Sequence, residues 1–196
     1  RKRTFSSCGR FSSSLFAITD YILTYTAGAN GSISGTKIQT VKHGSDGTAV
    51  TAVPDEGYHF VKWSDNSTEN PRIDTNVTSE ISVIATFEIN EYTVTFKDHD
   101  DTVLKTETVA HGNAATAPGN PTREGYTFKS WDKAYTNITS DLTVTATYTI
   151  NKYTITFDSN GGSAVSAITQ DYGTAVKAPA DPTKTGYTFK GWSSPV

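Results

Sequence analysis

Residues 92–96 read Tyr-Thr-Val-Thr-Phe, and residues 125–131 read Gly-Tyr-Thr-Phe-Lys-Ser-Trp. Both stretches return 61 residues later, as Tyr-Thr-Ile-Thr-Phe at 153–157 and Gly-Tyr-Thr-Phe-Lys-Gly-Trp at 186–192. Between the two copies, 17 of the 40 positions from Tyr92 to Trp131 are identical without a gap. Self-similarity at a fixed period is the mark of a tandem array. A divergent copy precedes them, with Tyr21-Ile-Leu-Thr-Tyr25 and Gly57-Tyr-His-Phe-Val-Lys-Trp63. Its first tyrosine lies 42 residues before its tryptophan, against 39 in the other two, so one loop is longer by about three residues.

The local pattern within each copy has period two. Tyr92, Val94 and Phe96 face one way and the threonines between them the other, as in a strand with one wet face. Leu142, Val144, Ala146 and Tyr148 repeat the alternation in a closing strand. Thr102 to Val109 reads as the partner of the first strand, after a polar turn at Asp98-His-Asp-Asp101. Ser159-Asn-Gly-Gly162 is the matching turn in the last copy, and Gly28 to Gly35 reads as a hairpin turn in the first. Ala114 to Pro121 is the one stretch suited to a short helix or an extended crossing; Pro118 and Pro121 forbid a long helix. The expected fold is mainly β: small α+β, β-grasp-like modules of about 60 residues in tandem, each of about four strands with little helix.

The expected boundaries are 1–20, 21–91, 92–152 and 153–196. Ile89-Asn90-Glu91 leads straight into Tyr92, and Ile150-Asn151-Lys152 into Tyr153, with no Gly/Ser or Pro linker, so the array should be fairly stiff. After Trp192 come only Ser193-Ser-Pro-Val196, with no counterpart to Leu142–Tyr148. Repeat 3 is therefore expected to be the least ordered, or to have its open edge filled by a neighbouring chain. Residues 1–20 are basic and Ser-rich and fit the repeat poorly; they read as a disordered terminus or the tail of a preceding repeat.

Composition narrows the class. Among 196 residues there are 33 threonines, while charged residues make up 19%. A β-branched, half-polar residue at that density suits strands and not helical bundles. Formal net charge is −3, which gives no support to a nucleic-acid partner, and no apolar run approaches membrane-spanning length. Charge is uneven, with 4 basic and 9 acidic residues in 21–91 but near balance beyond. The single cysteine, Cys8, allows no internal disulfide.

The pattern Tyr-x-Val/Ile-Thr-Phe, a turn, Pro-x-x-Pro-Thr and Gly-Tyr-Thr-Phe-x-x-Trp resembles the Listeria–Bacteroides repeat, the B-repeat of internalin-type proteins. The resemblance is full over 92–148, runs to Trp192 in the third copy and is looser over 21–87. It implies β-grasp-like modules used in tandem in bacterial cell-surface or secreted proteins. Departures are Asp101, where the turn usually has Gly, and, in the first copy, His59 for Thr and Pro54 alone for the Pro-x-x-Pro-Thr segment.

The Gly-Tyr-x-Phe-x-x-Trp strands carry the candidate site. Tyr58, Trp63, Tyr126, Trp131, Tyr187 and Trp192 are either an exposed aromatic platform or core packing. The tryptophan has opposite parity to the Tyr and Phe, so it needs a bulge to join them or else faces away. A platform would take a host cell-surface protein, a glycan or a cell-wall polymer. Asp98-His-Asp-Asp101 gathers oxygen ligands, but it lacks calcium-loop spacing and reads as a solvated turn. His43, His59, His99 and His111 form no metal motif. Asn66, Asn76 and Asn137 each open an Asn-x-Thr triplet, which a Thr-rich chain supplies by chance. No nucleophile, phosphate-loop or cofactor signature is present, so neither catalysis nor a cofactor is expected. A non-enzymatic spacer with possible adhesion is the first reading, and a binding module the second.

Overall fold

The computed structural model describes residues 18–193. Most of the expectation for residues 1–20 therefore lies outside the described residues. The chain divides into two compact units, up to Asn90 and from Glu91 onward.

In the first unit, β1 (Asp20–Ala27), β3 (Ile38–Lys42), β5 (Tyr58–Trp63) and β6 (Ile81–Ile89) form one sheet in the order β3-β1-β6-β5. The central pair β1/β6 is parallel and the outer pairs are antiparallel. A second small sheet pairs β2 (Gly31–Ser34) with β4 (Thr51–Pro54). The Gly/Ser stretch read as a turn thus contains a strand. Ile33 supplies the reason: it is an apolar side chain between two serines, and it is buried in the core. Asn70 completes the support for this sheet by bonding both the amide and the carbonyl of Ala52, each at 2.8 Å.

The second unit repeats the plan. β7 (Glu91–Lys97), β8 (Val103–Ala110), β9 (Tyr126–Trp131) and β10 (Leu142–Ile150) are ordered β8-β7-β10-β9, again with a parallel central pair. This second-first-fourth-third order is that of a β-grasp sheet. The α part of the expectation is not realised: there is no helix among the described residues. The crossing from β8 to β9 is extended, as Pro118 and Pro121 require, and Ala115 packs it onto the core. Among the described residues, repeat 3 contributes β11 (Lys152–Ile155) and β12 (Ile168–Asp171), an antiparallel pair.

Each complete repeat has its own core. Leu23, Tyr25, Val41, Val83, Ala85 and Trp63 fill the first; Val94, Phe96, Val109, Ile138 and Val144 fill the second. The alternation read in Tyr92–Phe96 appears directly: Val94 and Phe96 are fully buried while Thr93 is exposed. Turns use residues that tolerate left-handed backbone. Asp101 adopts φ 69° in place of the expected glycine, and Asp100 Oδ1 accepts a bond from Thr102 N at 3.1 Å. Asn66, Asn76 and Asn137 are also left-handed, at φ 70°, 47° and 53°. Val77 and Ile138, which follow the last two, are buried, so these asparagines turn the chain to plant an apolar anchor.

Candidate functional site

In both complete repeats the Gly-Tyr-x-Phe-x-x-Trp strand pairs antiparallel with the closing strand and carries a bulge. Phe60 pairs with Phe87 and Lys62 with Thr86, which leaves Val61 as the extra residue. Phe128 pairs with Tyr148 and Ser130 with Thr147, which leaves Lys129 extra at the same motif position. One extra residue reverses side-chain parity, so tryptophan turns inward to the face that the Phe occupies.

That geometry corrects the platform expectation for Trp63. Its side chain is 0% exposed, so it offers no surface to a ligand. The indole stands edge-on to Tyr25 at 6.0 Å and lies 5.7 Å from Phe60, and Nε1 donates to the Glu69 carbonyl at 2.9 Å. Tyr58 is half-buried against the same core. Trp131 is half-buried, with Phe96 at 5.0 Å and Phe128 at 5.5 Å. Tyr126 is half-buried beneath the Arg123 guanidinium, 3.8 Å from the ring centre. Tyr187 alone of the six is broadly exposed, at 73%, with Lys184 Nζ 4.8 Å over its ring. Trp192 is half-buried between Phe157 and Phe189, at 5.1 and 5.2 Å. The structure therefore brings no shared platform together within a repeat; it distributes these aromatics among cores and edges.

Repeat 1 holds a polar network that its sequence did not announce. Arg72, almost fully buried, donates through Nε and Nη2 to Asp74 at 2.8 and 2.7 Å, and also pairs with Asp65 at 2.8 Å. Its guanidinium lies 5.5 Å from the Trp63 ring centre, and Tyr25 Oη donates to Asp74 at 2.7 Å. Burial pushes the Tyr25 phenol up, reinforced by Asp74. For Asp74 burial works the other way, but bonds from Arg72 and Tyr25 outweigh it and hold its carboxyl below the usual range. In the Arg72-Ile-Asp74 stretch, the only available clue was charge within a loop.

In the turn after β7, Asp98, His99 and Asp100 could together face a cation. Asp98 Oδ1 already accepts from Tyr148 Oη at 2.6 Å and from His99 N at 2.7 Å. Those bonds lower the Asp98 carboxyl against the effect of burial, and burial with Asp98 raises Tyr148 to about 12. The group reads as a closed turn.

The junction of repeats 2 and 3 is built on one residue, Asn151, between β10 and β11. Its N–H donates to the Gly125 carbonyl at 2.9 Å, its carbonyl accepts from Tyr172 N at 2.8 Å, and its side-chain oxygen accepts from Thr127 Oγ1 at 2.6 Å. The Tyr172 ring covers Gly125, and its hydroxyl donates to Glu124 at 2.7 Å. Glu124 in turn raises the phenol pKa. At the end of repeat 1, Asn90 N donates to the Gly57 carbonyl at 2.8 Å, and the Asn90 side chain meets His59 at 2.9 Å.

Comparisons with known proteins agree with this repeat plan. The profile of the Listeria-Bacteroides repeat domain matches residues 92–152 and 153–195, and that of the divergent InlB B-repeat domain matches 21–91. The chain belongs to the Listeria-Bacteroides repeat family, with a divergent B-repeat at its start. A protein of Evansella cellulosilytica named as a Gly-rich membrane protein is 34% identical over 74% of this chain and 19% of its own length. Internalin H of Listeria monocytogenes is 40% identical over 43% of the chain and 17% of its own length. The chain thus spans about a fifth of the curated relatives it matches. Among solved structures, domains 3–4 of streptococcal high identity repeats in tandem from a cell surface protein align at TM-score 0.30 and 20% identity. That alignment covers 67% of this chain and 98% of theirs. The chain is a run of repeat domains of the kind carried by bacterial surface proteins. No described helix is long and apolar enough to cross a membrane.

Proposed function

We propose that this chain is a non-catalytic, semi-rigid spacer in a bacterial surface or secreted protein, holding other domains at a distance. The observation that supports it most is the Asn151 junction, where three bonds and the Tyr172–Gly125 contact join consecutive repeats through a single linking residue. A flexible linker would leave such groups to water; here the repeat edge and the next hairpin share them. Apolar residues are spent on separate repeat cores, and the strand faces turned to water are rich in threonine. The divergent first repeat adds an acidic surface that favours solubility.

X-ray scattering from the chain in solution tests the reading. It expects an elongated particle whose maximum dimension grows when an additional repeat is appended. A compact globule would overturn it. The second reading, binding of a host glycoprotein, glycan or cell-wall polymer through aromatics, draws support from Tyr187 alone, since Trp63 is sealed in a core. A glycan array probed with the chain and with a Tyr187→Ala variant separates the two readings.

A further inference from the structure

The outer face of the repeat 1 sheet carries three isoleucines that its counterpart in repeat 2 lacks. Ile22, Ile38 and Ile84 alternate with core residues on β1, β3 and β6, and they are 47%, 67% and 49% exposed. They surround Thr24. Ile38 pairs with Thr24 across β3, Ile22 precedes it by two residues, and Ile84 pairs with Thr26 on the neighbouring β6. Positions related in this way are direct or diagonal neighbours on one sheet face. In repeat 2, Thr106 pairs with Thr95 and Thr145 with Lys97, while Thr93 follows Tyr92 as Ile22 follows Tyr21. The three isoleucines thus stand where repeat 2 has three threonines. Both residues are β-branched and suit strands, so the sheet itself does not demand the apolar choice. Gathered on one wet face, they form a patch and not scattered surface residues.

Charge marks the same face. Residues 21–91 hold 4 basic and 9 acidic side chains. On the outward positions of the four strands, the charged residues are Asp20, Lys42, Lys62 and Glu88, which cancel. They lie at the two ends: Asp20 pairs with Lys42, and Lys62 pairs with Thr86, two residues before Glu88. An acidic repeat therefore has one neutral face on which a second acidic repeat meets no net repulsion. With an acid and a base at each end, a two-fold related copy can set opposite signs against each other.

The area bounds the strength of such a contact. Four strands about 4.8 Å apart and about seven residues long make a face of about 19 by 23 Å. Two of them pressed together cover roughly 900 Å², the size of a weak, transient contact and short of a permanent dimer.

We propose that this face is a self-association surface, on which repeat 1 packs against repeat 1 of a second copy with the isoleucines at the centre. Half-association in free solution falls near about 100 µM. Copies crowded together reach effective concentrations at which a contact of that strength forms. Repeat 2, with its threonine face, takes no part.

Sedimentation velocity of the full chain from about 5 to about 500 µM, in a Cys8→Ser background that excludes disulfide dimers, tests the proposal. The sedimentation coefficient should rise reversibly with concentration. A chain with Ile22→Thr, Ile38→Thr and Ile84→Thr should associate at least about tenfold more weakly. Its thermal unfolding should stay cooperative, because repeat 2 folds with threonine at these positions. Thr24→Cys, at the centre of the face, should form disulfide dimers about tenfold faster than Thr95→Cys, its counterpart in repeat 2. A parent chain that stays monomeric to about 500 µM would overturn the proposal, including the case in which another segment of the same chain covers the face. So would undiminished association of the triple variant, or equal crosslinking at Thr24→Cys and Thr95→Cys, since either would place the contact elsewhere.

Discussion

The ring of Tyr172 lies against Gly125 where a β-carbon would stand, and its hydroxyl reaches back 2.7 Å to Glu124. One tyrosine from repeat 3 thus reads a glycine in repeat 2 for two reasons. Gly125 sits at φ +75°, which an L side chain adopts at a cost, and its bare Cα face makes room for the ring.

Gly125→Ala should therefore act twice. Backbone strain alone costs about 1 kcal/mol, and the methyl also pushes Tyr172 off its seat. Urea unfolding should show a loss of about 1–2 kcal/mol in the second unit, and exchange should rise at Asn151 and Tyr172. Tyr172→Ala should reproduce the raised exchange without the backbone cost.

Trp63 makes a different kind of prediction. Removing a fully buried indole leaves a cavity and an orphaned Glu69 carbonyl, so Trp63→Ala should destabilise repeat 1 by about 3–5 kcal/mol. In a chain carrying Trp131→Phe and Trp192→Phe, the remaining emission should be blue and resist acrylamide. Red, readily quenched emission would restore Trp63 to the surface.

The bulge residue itself can be tested. Deleting Lys129 restores regular pairing and forces Trp131 to the outer face, away from Phe96. The deletion should cost as much as losing the indole, about 3 kcal/mol or more, whereas Lys129→Ala should cost less than about 0.5 kcal/mol. Thermal unfolding of the two variants side by side distinguishes parity from loss of the lysine.

These cases show how far the residues spoke for themselves. The alternation in Tyr92–Phe96 and Leu142–Tyr148 was legible because one face of each strand is buried, which forces period two. The Asn90 and Asn151 junctions were legible because the repeat left no room for a linker. The inward turn of the tryptophans was legible only as a choice: parity demanded a bulge or an outward ring, and pairing between distant strands decided it. The Arg72–Asp74–Tyr25 network was not legible, since it depends on a loop folding under Trp63. Nor was β2, whose one core residue, Ile33, was hidden among Gly and Ser.

That network sets the acid response of repeat 1. Asp74 and Asp65 are held below the ordinary carboxylate value of 3.8, so the unfolded chain binds protons first as pH falls. Their contribution is complete above the unfolded value and is lost as pH drops through the lower folded values. The urea midpoint of repeat 1 should be flat from neutral pH to about 5 and decline below about 4. Asp74→Ala, which leaves the buried Arg72 paired only with Asp65, should cost about 2 kcal/mol or more at neutral pH and weaken the acid decline.

Tyr148 gives the opposite sign. Its folded pKa is raised from 10.0 to about 12 by burial and Asp98, so its bond is intact below the unfolded value and is lost as pH rises between the two. Spectrophotometric titration should find Tyr148 among the late tyrosines, with Tyr25 and Tyr172, and Asp98→Asn should move one of them earlier.

The central claim is that consecutive repeats are held at a fixed angle through Asn151. Spin labels at Thr136→Cys in repeat 2 and Lys177→Cys in repeat 3, in a Cys8→Ser background, measure it by pulsed electron double resonance. Both sites are exposed and lie outside every strand. A single narrow distance distribution, broadened by Tyr172→Ala and by a Gly-Ser insertion beside Asn151, is the predicted result. A broad distribution in the parent chain, unchanged by either alteration, would contradict it.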